Sequence, residues 1–347
     1  MAKRPPKKGK REEKILLIDG DALFKTGYYG AKSEYNTNGE HIGGLYQFLT
    51  VVRKFLKEEI YHKVFVFWDG EFSGKLRYNL YTDYKISRGK NYITGTIPDD
   101  ESLVIQRFKV QEYLDELFIR QFEDKIVESD DFISYLCQRK DENQKISIIS
   151  NDRDLCQLIK KDIRIYLCDK KKFITVDNYQ ENFDYKHENL VLIKTICGDN
   201  SDSIKGIKGV KEKTLLNMFP EFNERIVKLE DVLEKAKLLQ KERVENNKKP
   251  LKSLDNIINS KTDGIQGERI YKINNLLVDL TNPLLTEEAI NNVEPIIKGS
   301  IEPKNRSIKN IYSFIKRDGL DKLINDENFT EYFLPFKRLI EREKKVI

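Results

Sequence analysis

Ile146-Ser-Ile-Ile-Ser-Asn-Asp-Arg-Asp-Leu155 reads as a short buried strand that ends on acid. Its β-branched run favours extended backbone, and Asp152 and Asp154 follow immediately, with a helical pattern over Leu155–Ile159 after them. Two further apolar runs end in the same way, Ile15-Leu-Leu-Ile18 at Asp19 and Val64-Phe-Val-Phe-Trp68 at Asp69. Strands of a parallel sheet share one carboxyl edge, so acids at three such ends converge on one place. This predicts an α/β protein with its chemistry at that edge.

The rest of the chain fills in around these strands. Ile42, Leu45, Phe48, Leu49, Val52, Phe55 and Leu56 recur at helical spacing between the first two runs, which predicts a right-handed crossover. Residues 71–127 change character, with many Tyr, Lys and Arg, few strand signals and a helical stretch near Leu103–Phe118, and are expected to lie over the carboxyl edge as an insertion. Ser129 can cap a helix over Phe132–Gln138. Strand Ile163–Leu167 and a short edge strand Phe173–Val176 complete the sheet. From His187 onward helices are expected over Leu190–Ile196, Thr214–Phe219, Val232–Lys241 and Glu268–Leu280, with a loop at Glu242–Lys252 and further helices near Ile308–Ile315 and Phe329–Glu343. The resulting division is a basic disordered tail (1–14), a core (15–186), a helical subdomain (187–300) and a C-terminal helical extension (301–347).

Composition narrows the function classes. The 347 residues carry 62 basic and 57 acidic side chains for a net charge of +5, with 39% hydrophobic residues. Such a chain is globular and heavily charged, and segregation of acids to a site with lysines around it suits a metal-dependent enzyme on a polyanion. The four cysteines form no C-x-x-C pair, which argues against a zinc site or disulfide framework and for a reducing cytoplasm. The basic run from Met1 to Arg11 lacks the apolar core of a signal peptide, and no run approaches a membrane span.

Asp19, Asp69, Glu128, Asp130, Asp152, Asp154, Asp199 and Asp202 are the candidate metal ligands, with Asp131 beside them. Oxygen donors without a His or Cys cluster favour Mg²⁺, with Mn²⁺ as a substitute, over zinc. This many acids suit two or more ions, a pair of which can activate water and stabilise the leaving oxygen of a phosphodiester. An isolated strand-end Asp is commonly a turn or cap residue; repetition at successive strand ends favours a site. Arg77, Tyr81, Tyr84, Lys85 and Arg88 would share one face of a helix, offering cations to a phosphate and rings to a base. Gly206 and Gly209 lie three apart within Ser203–Thr214, where Lys205, Lys208, Lys211 and Lys213 supply sequence-independent attraction for phosphates.

The runs Leu16-Leu-Ile-Asp-Gly20, Val66-Phe-Trp-Asp-Gly70, Val127-Glu-Ser-Asp-Asp131, Ser150-Asn-Asp-Arg-Asp-Leu155 and Cys197-Gly-Asp-Asn-Ser-Asp202 resemble, in order, the five acidic motifs of the 5′ nuclease family. That family holds flap endonucleases, the 5′-nuclease domains of bacterial polymerases and bacteriophage 5′-exonucleases and ribonuclease H. The resemblance implies a PIN-like α/β fold with a mostly parallel sheet, a helical arch or gateway over Gly89–Phe118, and a C-terminal helix-hairpin-helix at Ser203–Thr214. There Lys205 and Leu215 stand where many members have proline and alanine. It also implies two-metal hydrolysis of DNA, or of RNA primers in RNA–DNA hybrids, at 5′ ends, nicks, overhangs and flaps. The eight acids would hold the ions, and Lys85, Arg88 and Asp131 would be catalytic. Arg77, Tyr84, Lys205, Gly206, Lys208, Gly209, Lys211 and Lys213 would bind nucleic acid, with K⁺ at the hairpin. A monomer working with a replication clamp or single-strand-binding protein is the accompanying expectation, and the Lys/Asn/Ile-rich composition suits a phage with an A·T-rich genome. A PIN-like ribonuclease and a catalytically silent branched-DNA binder are the competing readings.

Overall fold

The computed structural model describes residues 12–89, 100–262, 269–301, 306–322 and 324–343. Six strands form the central sheet: β1 (Glu13–Asp19), β2 (Lys63–Asp69), β3 (Arg120–Asp124), β4 (Gln144–Ser150), β5 (Ile163–Leu167) and β6 (Lys172–Ile174). Their spatial order is β3-β2-β1-β4-β5-β6, parallel throughout except for the antiparallel β5–β6 edge. The helices are α1 (Gly20–Gly30), α2 (Gly43–Glu58), α3 (Lys75–Leu80), α4 (Glu101–Glu116), α5 (Ser129–Arg139), α6 (Leu190–Cys197), α7 (Glu212–Met218), α8 (Glu221–Glu224), α9 (Leu229–Glu245), α10 (Lys252–Ile258), α11 (Arg269–Val278), α12 (Glu287–Lys298), α13 (Ile308–Arg317) and α14 (Phe329–Glu343). A two-stranded ribbon, β7 (Gly198–Asp199) with β8 (Ile204–Lys205), follows α6.

Alternation along the central strands sends side chains into two separate cores. Ile15 and Leu17 of β1 join Phe65, Phe67, Ile146 and Ile148 on the face covered by α5, α6 and the later helices. Leu16 and Ile18 join Val64, Val66, Trp68 and Ile149 on the face covered by α1, α2 and α4. Both faces are buried, so these strands read as continuous apolar runs rather than alternating ones.

The chain winds from β1 through β2 to β3, then crosses back to β4 beside β1. That reversal opens a crevice outside the carboxyl ends of β1 and β4, where sites collect in such sheets. Asp19 ends β1, Asp69 ends β2, Glu128 precedes α5, and Asp152 follows β4.

Several expectations are corrected. Strand β1 begins at Glu13, inside the expected tail, and residues 1–11 lie outside the described set. The expected insertion at 71–127 contains β3, which pairs with β2 at the sheet edge, and α4, whose Leu103, Val110, Tyr113 and Leu114 are core residues. Arg120-Gln-Phe-Glu-Asp124 escaped because an edge strand carries polar side chains. Residues 90–99, the middle of the expected arch, lie outside the described set. Residues after Asp152 form a 3₁₀ turn, Arg153–Leu158, in place of an α-helix. Helix α9 runs to Glu245, into the expected loop. Ile311, Ile315, Tyr332, Phe333, Phe336 and Leu339 of α13 and α14 pack with α2 and α4, so this extension covers one face of the core.

Candidate active site

Local hydrogen bonding sets each acid at the carboxyl edge. Asp19 Oδ1 accepts from the Ala22 N–H at 3.2 Å, starting α1, while its Oδ2 accepts from Ser150 Oγ at 2.8 Å. The same Ser150 hydroxyl accepts from the Asp152 N–H at 2.9 Å, tying the ends of β1 and β4 together. Asp69 Oδ1 accepts from the Ser129 N–H at 2.9 Å, bringing the start of α5 to the end of β2. Asp152 Oδ1 accepts from the Asp154 N–H at 2.8 Å and caps the 3₁₀ turn.

One cavity of about 310 Å³ is lined by Asp19, Asp21, Asp69, Glu128, Asp130 and Asp152 together with Lys25, Lys85 and Arg88. Asp154, Asp199 and Asp202 stand beside these and are held there by cations. Lys194 on α6 bridges Asp154 and Asp199, and Arg88 donates to Asp202 at 2.6 Å. All eight acids expected as metal ligands therefore gather at one end of the sheet.

Proton affinities divide the group. Burial, then the neighbouring Asp69, pushes Asp19 up to about 7. Burial and Asp152 take Asp154 to about 7 despite Lys194. Asp130 is raised well above its ordinary value, by burial and then by Asp152, Asp19 and Asp69. Burial also acts on Glu128, but Lys85 and Arg77 override it and hold the carboxyl at about 2. Lys194 does the same for Asp199, again to about 2.

Among the described residues no three acids close into a ready-made ligand set. The donors nevertheless fit a hard divalent cation. Asp130 Oδ1 is buried without a hydrogen-bond partner, and Asp19, Asp69, Asp130 and Asp152 carry no ion pair among the described residues. Carboxylates crowded without counter-charge repel one another, and a cation in the cavity relieves that repulsion.

The residues assigned to nucleic acid are placed less uniformly. The segment from Arg77 to Arg88 is not one helix, because α3 ends at Leu80 and Lys85 adopts a left-handed backbone (φ 54°) before a 3₁₀ turn. The Lys85 N–H donates to the Asp202 carbonyl at 2.8 Å, and its ammonium is turned onto Glu128. Lys85 and Arg88 thus face the cavity as expected. Arg77 does not reach a duplex: it is 3% exposed and donates to Glu128 at 2.7 Å, to Asp131 at 2.5 and 3.0 Å and to the Leu277 carbonyl at 2.9 Å. Tyr84 is likewise buried, its ring against Ile204, Leu277 and Val278 and its hydroxyl on Glu128 and Asp202, so it offers no face for base stacking. Asp131 lies behind the cavity, paired with Arg77 and accepting from the Leu284 N–H at 2.9 Å. Its position is that of a support.

Lys205, Lys208, Lys211 and Lys213 are exposed around the turn between α6 and α7. Gly198 (φ 70°) in β7 and Gly206 just after β8 approach closely; a Cβ on Gly206 would lie 2.0 Å from the Cys197 carbonyl carbon, so only glycine fits. Buried Ile207 and Val210 anchor the turn.

Sequence reasoning missed Lys194, Asp21 and Arg107. Lys194 was visible as the one charge in the apolar helix Leu190-Val-Leu-Ile-Lys-Thr-Ile-Cys197. Asp21 accepts the Asp69 N–H at 2.7 Å and pairs with Arg107 of α4, which lies over the Trp68 ring. Nothing local signals that pairing, 86 residues apart.

The family described as 5′-3′ exonuclease, N-terminal resolvase-like domain, matches residues 14–184. A 5′-3′ exonuclease of Mycoplasmopsis pulmonis is 33% identical over 258 residues, covering 73% of this chain and 82% of that one. Thermostable DNA polymerase I of Thermus thermophilus is 30% identical over 233 residues, 65% of this chain but 27% of the polymerase, so the chain spans about a quarter of that relative. Among solved structures, bacteriophage T5 5′-exonuclease with divalent zinc ions bound has a TM-score of 0.58 at 18% identity, covering 88% of this chain and 98% of that one. The catalytic core of Rad2 in complex with DNA substrate has a TM-score of 0.52 at 13% identity, covering 94% and 93%. At such identities the structural likeness establishes the fold, the PIN-like α/β architecture expected from the motifs.

Proposed function

The chain belongs to the 5′-3′ exonuclease family, and on that premise we propose that it is a divalent-metal-dependent, structure-specific 5′-3′ exonuclease and flap endonuclease. Its substrates are 5′ ends, overhangs, nicks and flaps of duplex DNA, and RNA primers in RNA–DNA hybrids. The observation that carries the reading is a cavity at the β1/β4 crevice lined by carboxylates together with Lys85 and Arg88.

Asp19, Asp69, Asp130 and Asp152 would hold Mg²⁺, with Asp154, Asp199 and Asp202 completing a second position. Bound metal supplies activation of water and neutralisation of phosphate charge. Lys85 and Arg88 offset charge that develops on the scissile phosphate, where preorganised cations act most strongly. Glu128, held ionised by Lys85 and Arg77, keeps Lys85 aimed into the cavity. Asp131 and Arg77 position that assembly from behind. The bond broken leaves a 5′-phosphate and a 3′-hydroxyl.

The turn between α6 and α7 is a helix-hairpin-helix whose lysines grip the duplex backbone without reading sequence. The enzyme acts as a cytoplasmic monomer in phage DNA replication, recruited by a clamp or a single-strand-binding protein.

The test is cleavage of a 5′-flap duplex, labelled at either end, with Mg²⁺, with chelator, and with Asp130→Asn and Asp154→Asn. Mg²⁺-dependent cuts near the junction, lost in both variants, support the reading. Tight flap binding without cleavage under Mg²⁺ or Mn²⁺ overturns it in favour of a silent binder. Cleavage confined to single-stranded RNA overturns it in favour of a ribonuclease.

A further inference from the structure

The backbone of the turn at 205–208 is satisfied almost entirely from within the protein. The Lys205 carbonyl accepts from the Asn274 side-chain amide at 2.9 Å, and the Gly206 carbonyl accepts from the Thr262 hydroxyl at 2.7 Å. The Ile207 carbonyl accepts from the Val210 N–H at 3.0 Å, and the Lys208 carbonyl accepts from the Asn256 amide at 2.8 Å. Two of the amide hydrogens are anchored as well, Ile207 N–H to the Ile196 carbonyl at 2.7 Å and Lys208 N–H to the Lys261 carbonyl at 2.9 Å.

Three of the four carbonyl contacts come from side chains of one neighbouring region, spanning α10 to α11. Asn274 and Asn256 are 2% and 5% exposed. Asn274 also donates to the Thr195 carbonyl at 3.0 Å, so one amide clasps the last turn of α6 and the start of the hairpin. Buried amides engaged in hydrogen bonds fix geometry more strictly than exposed ones, because any other arrangement leaves a polar group unpaired. The lysines that point outward from this frame, Lys205 and Lys208, take their direction from it.

We propose that Asn256, Thr262 and Asn274 are positioning residues for duplex binding, holding the 205–208 backbone in its gripping shape. The proposal rests on the reading of this turn as the duplex-binding hairpin. The hairpin is therefore preorganised by the protein's own side chains.

The experiment measures steady-state cleavage and duplex binding for Asn256→Ala, Asn274→Ala and Thr262→Val of the full chain. Lys205→Gln/Lys208→Gln serves as the reference variant. The expected result is a roughly tenfold rise in KM for each asparagine variant, kcat within twofold of the parent, and a salt slope shallower by about one phosphate contact, ~0.9. A residue that merely supports folding would lower the melting temperature and the active fraction but leave KM and the salt slope of the folded enzyme unchanged, and that result overturns the proposal. If Asn274→Ala does not fold, Thr262→Val, which removes one hydroxyl at a half-buried position, gives the same two readouts. Unchanged KM in the lysine variant overturns instead the underlying reading of the hairpin, which separates the two failures.

Discussion

Replacing Arg77 by Met tests whether this residue belongs to the nucleic-acid surface or to the scaffold beneath the acids. The guanidinium has four hydrogen bonds, to Glu128, to both oxygens of Asp131 and to the Leu277 carbonyl. Glu128 would keep Lys85 and Tyr84 as partners after the substitution. Asp131 would keep only the Leu284 N–H. The variant therefore leaves one buried carboxylate without counter-charge, a change that costs about 3–5 kcal/mol in comparable cases. For a chain of this size that corresponds to a melting temperature lower by roughly 4–7 °C.

The pH dependence carries a second signature. Burial already raises the Asp131 carboxyl above its ordinary value with Arg77 in place. Without Arg77 it rises further, so folding takes up a proton between the unfolded and folded values, and the deficit shrinks as pH falls from 8 to 5.5. Adding Asp131→Asn to Arg77→Met should recover part of the loss at pH 8. The assay is urea unfolding of the parent and the three variants at both pH values, alongside duplex binding from 50 to 200 mM salt. A variant that melts with the parent, while its salt slope becomes shallower by ~0.9, would refute the reasoning and return Arg77 to the DNA interface.

Asp19 and Asp154, raised to about 7, and Asp130, raised well above its ordinary value, take up protons on folding. Metal-free protein should therefore gain stability as pH falls from 8 to 5, then lose it towards pH 2 as Glu128 and Asp199 are protonated, a maximum visible in urea midpoints. Mg²⁺ should raise the melting temperature more at pH 8 than at pH 5.5, because protons and metal compete for the same oxygens; equal shifts at both values would place the metal elsewhere. Asp21→Ala removes the acceptor of the Asp69 N–H and should cost about 1–3 kcal/mol in chemical denaturation. Gly206→Ala would force a methyl into the Cys197 backbone, and an unaltered thermal melt would contradict the packing of the ribbon.

The parts of the fold that depend on apolar runs were legible. Strands β1, β2, β4 and β5 are buried on both faces, so their composition alone marks them, and the acids ending them mark the crevice. Strand β3 carries Arg, Gln, Glu and Asp because it lies at the edge, and no local pattern separates it from a loop. Arg77 and Tyr84 were misread because helical spacing was assumed to run through Lys85, where the backbone turns left-handed. Basic and aromatic side chains suit either a nucleic-acid face or a buried ion-pair network, and only the tertiary arrangement distinguishes them. Asp21 and Arg107 meet through the packing of α4 against α1 and β2, a contact with no sequence-local trace.

Internal cations sort the acids in a way that bears on the proposed chemistry. Arg107 takes Asp21, Arg77 takes Asp131, Lys85 and Arg77 take Glu128, Lys194 takes Asp154 and Asp199, and Arg88 takes Asp202. Asp19, Asp69, Asp130 and Asp152 are left with hydrogen bonds at most, and all four line the same cavity. The division follows the chain: Asp19, Asp69 and Asp152 stand at or just beyond the ends of three neighbouring strands, where hydrogen bonds orient them, and Asp130 joins them from the first turn of α5. A divalent cation entering the cavity meets this uncompensated group first. Binding at the flanking Asp154 and Asp199 requires Lys194 to give way. If the proposed two-ion arrangement holds, the ions should load in sequence, and Lys194→Met should tighten the second binding event in a calorimetric Mn²⁺ titration while leaving the first unchanged. A titration in which both events shift together would show that Lys194 neutralises the cluster as a whole, and the sorting of acids would then carry no meaning for metal order.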